Sequence, residues 1–65
     1  MEIIHMRPNL AEAYNNLAII YVRKGHLKEA AMFFKKALEI KSGYEDAGVN
    51  LNIVTRQMNV SESVN

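Results

Sequence analysis

A chain of 65 residues with no cysteine and a net charge of +1 allows one small domain and excludes disulfides and thiolate metal sites. A charge so close to zero argues against nucleic acid or an acidic membrane as partner, and no apolar run reaches the roughly 18 residues of a bilayer span. Chains this short bury only about 60% of their unfolded surface, so stability has to come from helix packing or from a neighbour.

Residues 1–8 form a short opening in which Ile3, Ile4 and Met6 are apolar and Pro8 ends whatever precedes it. The opening is too short for a signal peptide, which together with the absence of cysteine fits a cytoplasmic location. Asn9 is a suitable N-cap, and Glu12 three residues on supplies the other half of a capping box. A first helix is predicted from there to about Lys24, with Ala13, Tyr14, Leu17, Ala18 and Tyr21 along one face. Arg23 and Lys24 sit favourably at its negative end. Gly25 stands where the chain must turn, and glycine enters the left-handed region freely. His26 is a poor cap for the second helix, partly compensated by Glu29 in the first turn. That helix is predicted to about Lys41, with Leu27, Ala30, Phe34, Ala37 and Leu38 on one face and Gly43 as terminator. Small residues alternate with large ones on both faces, so the two helices can approach closely as a hairpin. A third helix begins near Tyr44, with Glu45 and Asp46 in its first turn, and the polar tail over 61–65 is expected to fray.

The spacing Tyr14-x2-Leu17-Ala18-x2-Tyr21, followed by Ala30-x3-Phe34, resembles the tetratricopeptide repeat, whose period is about 34 residues. Leu17, Tyr21, Ala30 and Phe34 match outright, Tyr14 stands where Trp is usual, and Ala18 where Gly is usual. Gly25 and the run Lys36-Ala37-Leu38-Glu39 also resemble common choices of the family, whereas Ser42 replaces its closing proline. The resemblance covers Ala11 to Tyr44 fully and the flanks in part. Sliding the chain by one period lays Ala13 on Ala47, Asn16 on Asn50, Leu17 on Leu51 and Ile19 on Ile53, with Glu12 on Asp46 and Ile20 on Val54 as conservative pairs. The slots of Tyr14, Ala18 and Tyr21 become Gly48, Asn52 and Thr55, so the third segment reads as a degenerate first helix that caps the hairpin. In the other direction Ile4 falls on Leu38, Met6 on Ile40 and Pro8 on Ser42. Residues 1–8 then read as the tail of a preceding repeat or an N-terminal stub, from a longer array or a miniature one. The expected fold is all-α: a TPR-like helical hairpin over 9–43 plus a third capping helix over 44–60, a fragment of a right-handed α-α superhelix.

The resemblance implies a non-enzymatic protein-interaction module that grips a peptide in its concave groove or serves as one unit of a larger scaffold. In such proteins asparagines at the slots of Asn16 and Asn50 face the groove, and an amide offers donor and acceptor together to any peptide backbone. Neighbouring groove candidates are Glu12, Asn15, Ile19 and Arg23 on the first helix, with Asp46, Val49, Ile53 and Arg56 on the third. Where some relatives place lysines that clamp a C-terminal carboxylate, this chain has Glu12 and Asp46, so a basic or apolar peptide suits the surface better. The alternative is a self-assembly element. Met1, Ile3, Ile4 and Met6 at one end, with Met58 and Val60 at the other, lack obvious internal partners, so open repeat ends would drive homodimerisation or helix exchange. His5 and His26 lie apart with no third ligand in register, and no nucleophile stands beside a base, so neither metal, cofactor nor catalysis is expected. Lys35, Lys36 and Lys41 read as a solvated helix face, and Asn59-Val60-Ser61 is an isolated match to a glycosylation sequon.

Overall fold

The periodicity of apolar residues and the two short interruptions at Gly25 and Gly43 divide the described residues into three helices. The computed structural model describes the backbone of residues 10–64 and the side chains of residues 10–60. Helix α1 spans Leu10–Arg23, α2 spans Leu27–Ile40 and α3 spans Glu45–Val64. Helix α2 packs against both others, while α1 and α3, which run in the same direction, meet only lightly. The expectations for residues 1–9, including the Asn9 cap and His5, fall outside the described residues. Among the described residues no helix is long and apolar enough to cross a membrane.

The turn between α1 and α2 depends on one glycine. Gly25 takes φ +85, its N–H donates to the Val22 carbonyl at 2.9 Å, and the His26 N–H donates to the Tyr21 carbonyl at 2.9 Å. These two bonds make a Schellman motif, which satisfies carbonyls that the last helical turn would leave bare. The His26 ring lies 6.1 Å from that of Tyr21, closing the motif with the side-chain contact that usually accompanies it. His26 makes no side-chain cap on α2.

The second turn works differently, and Gly43 is not the left-handed terminator expected of it. Lys41 leaves the helix in an extended conformation, φ −136 and ψ 94, and the Tyr44 N–H then closes a turn on the Lys41 carbonyl at 3.0 Å. Gly25 is the one described glycine with positive φ. The Lys41 ammonium sits 5.1 Å above the Tyr44 ring, a cation–π contact across the turn. A methyl at either glycine would meet open space, so backbone conformation alone decides the two substitutions. Gly25→Ala should cost about 1–2 kcal/mol. Gly43→Ala should be neutral or stabilise by about 0.4–1 kcal/mol, through a less flexible unfolded chain. Urea denaturation of the two variants measures both signs.

Among the described residues the core consists of Ala11, Ala18, Ala30, Ala31, Phe34, Ala37, Ala47 and Val54, and Phe34 is its one large, fully buried side chain. Six of those eight residues are alanine, which lets the helix backbones approach closely. Beside this core lies a half-buried aromatic cluster. Phe33 stacks on Tyr14 with ring centroids 6.0 Å apart and meets Tyr21 at 5.2 Å in a tilted geometry. Tyr14 is therefore packed but not enclosed. Met58 was expected to lack an internal partner, but it packs against the core.

The two edges of the array differ. The stripe Tyr44, Ala47, Leu51 and Val54 on α3 lies against the core, with Ala47 0% and Val54 2% exposed. Its counterpart one period earlier is Leu10, Ala13, Leu17 and Ile20, in which Leu10 is 54% and Ile20 49% exposed. Ala13, expected in the core, is exposed for this reason: its face of α1 points away from α2 and α3. At the opposite edge, the slots that bury Ala11 and Ala18 on α1 hold exposed Glu45 and Asn52 on α3. A side chain added at Gly48, the counterpart of Tyr14, would meet nothing within 4 Å. Helix α3 continues to Val64 through the segment expected to fray, because neither Gly nor Pro follows Gly48 to stop it.

Candidate binding groove

Because α1 and α3 are parallel neighbours, residues one period apart rise side by side and leave a cleft between them. Asn15, Asn16 and Ile19 from α1 and Glu45, Asp46, Val49 and Asn50 from α3 line an open depression of ≈ 430 Å³. Six of the sequence-predicted groove residues are thus brought together. Asn16 and Asn50, the proposed pair of amides, share this depression, with Asn16 exposed and Asn50 half-buried.

Their neighbour Asn15 plays a different part. It is 5% exposed, and its Oδ1 accepts a hydrogen bond from Asn50 Nδ2 at 3.3 Å. A buried amide needs such a partner, and among the described residues no buried side-chain polar atom is left without one. Asn15 therefore forms the floor of the cleft and ties α1 to α3, whereas Asn16 stands at its surface. One of the two Asn50 N–H groups is committed to that bond, which leaves the amide a second N–H and a carbonyl oxygen for other partners.

The acidic end of the cleft is built by the first turn of α3. Glu45 and Asp46 line it, and carboxylates there also complement the positive end of the α3 dipole. The half-buried Tyr44 phenol reports the local field: desolvation raises its pKa above the ordinary value, and the charges of Glu12 and Asp46 raise it further. Glu45 was missing from the sequence-predicted set. Its slot one period earlier is Ala11, a core residue, whereas Glu45 itself is exposed, so the repeat pattern alone gave no signal for it.

The remaining predicted residues lie elsewhere. Glu12 is exposed near Tyr44, and Arg23 is exposed in the last turn of α1. Ile53 is 50% exposed on the next turn of α3, beyond the depression. Arg56 borders a second open depression of ≈ 450 Å³, lined with it by Leu27, Gln57 and Val60. Among the described residues no three His, Cys, Asp or Glu side chains gather as a metal site would require.

A family model described as tetratricopeptide repeat matches residues 4–42, more than half of the chain. Neither a curated protein nor a solved structure matches it.

Proposed function

The chain belongs to the tetratricopeptide repeat family, whose members are protein-interaction modules and typically not catalysts, and from that premise we propose that its α1–α3 cleft grips an extended segment of a partner protein. The observation that carries this reading is the pairing of Asn16 and Asn50 along one depression. Two amides on parallel helices can meet successive peptide units of a strand lying across them, without regard to its side chains. Ile19 and Val49 add apolar contact, and Glu45 and Asp46 favour a cationic side chain over a carboxylate. With so short a groove the affinity should be low unless further copies extend it.

Asn16→Ala tests the contact cleanly, because Asn16 is exposed and takes no part in the Asn15–Asn50 bond. Asn16→Ala with Asn50→Ala should abolish most binding to peptides rich in Lys, Arg and apolar residues. The Asn50 change also removes one hydrogen bond, worth about 0.5–1.5 kcal/mol of stability. Calorimetric titration that finds equal affinity for the wild type and both variants sinks the reading.

The uncovered stripe of Leu10 and Ile20 supports a second reading, in which that face packs on another helix, from a scaffold or a second copy. Self-association would appear as a concentration-dependent mass in sedimentation, and a strict monomer at high concentration eliminates it.

A further inference from the structure

The face of α3 that meets the cleft does not end with it. Asn50 and Gln57 lie two turns apart on one line of the helix, and Val49, Arg56 and Val60 lie on the adjoining line. Asn50 lines the first depression and Gln57 the second, with Ile53, 50% exposed, between them. We propose that the two depressions are subsites of one track, which takes an extended peptide carrying a Lys or Arg side chain at Glu45 and Asp46 and a large apolar side chain in the Leu27–Val60 depression.

This inference rests on the reading of the cleft as a peptide groove, and it adds the second anchor and its spacing. From Asp46 to Val60 the helix rises about 21 Å, which about six extended residues span. Charge sets the polarity of the bound segment. Glu45 and Asp46 attract the cation at one end, whereas Arg56, on the rim of the other depression, repels it from there. The apolar anchor is matched by Val60, 61% exposed, and by half-buried Leu27. An apolar side chain that covers Val60 removes surface now left in water.

The test titrates the isotope-labelled full chain with acetyl-Arg-Ser-Ala-Ser-Ala-Leu-amide, with the reversed sequence, and with each peptide after its leucine is replaced by alanine. One order should bind better, and the amide signals of Gln57 and Val60 should move together with those of Asn16 and Asn50. Loss of the leucine should weaken binding about tenfold and silence the shifts at Gln57 and Val60. Val60→Asp, at an exposed position that leaves the fold intact, should do the same to the leucine peptide alone. Equal binding of leucine and alanine peptides, or shifts confined to the first depression, overturns the second anchor while leaving the groove itself. No shift at either depression with any of the four peptides overturns both.

Discussion

Phe34→Ala should leave the chain without a cooperative melt. Phe34 is 1% exposed and stands among Ala30, Ala31 and Ala37, side chains too small to move into the space a phenyl ring vacates. Truncations of this kind cost about 3–5 kcal/mol, the larger values where the surroundings cannot collapse. At roughly 0.05–0.15 kcal/mol per residue a chain of this length has only about 3–10 kcal/mol in all, so the truncation removes half of its stability or more. Circular dichroism on heating gives the answer. A sloping, non-cooperative trace is expected, and a sharp transition near the wild-type temperature would mean that Phe34 does not hold the core. Tyr14→Ala should be milder, because that ring is half-buried and its stack on Phe33 lies at the edge of the core.

The second large effect is a contrast between two positions one period apart. Ala18 is 0% exposed where α1 meets its neighbours, and Ala18→Leu forces extra methylenes into a close helix contact. Overpacking of this kind costs about 1–3 kcal/mol. Asn52 occupies the same slot on α3 but is exposed, so Asn52→Leu should change stability by no more than about 0.5 kcal/mol. Urea midpoints of the two variants decide the matter. Equal tolerance at both positions would contradict the burial of Ala18 and the exposure of Asn52.

The same contrast explains what the residues disclosed in advance. The spacing of Ala30, Phe34 and Ala37 marked a buried helix face, because a large ring flanked by alanines at helical intervals has few other uses. Gly25 was legible, since a helix that must reverse within three residues needs the left-handed conformation. Gly43 was not. Glycine permits positive φ without requiring it, and there an extended Lys41 with a turn bond from Tyr44 does the work. Ala13 and Ala47 are the same residue type one period apart, yet only Ala47 is buried. Burial belongs to the neighbour as much as to the residue. The different parts of Asn15 and Asn16 were hidden for a related reason. They lie about 100° apart on α1, and only the position of α3 decides which of the two is enclosed as the floor of the cleft and which stands at its surface.

Everything proposed for the cleft depends on α1 and α3 lying side by side, joined by the amides of Asn15 and Asn50. Nuclear Overhauser contacts from the Asn50 side-chain amide protons measure that arrangement directly. Cross-peaks to Asn15 and Ile19 on α1, with one of the two amide protons slowed in exchange, are the expected result. Cross-peaks to α3 neighbours alone, with both protons exchanging at the rate of an exposed asparagine, would contradict it.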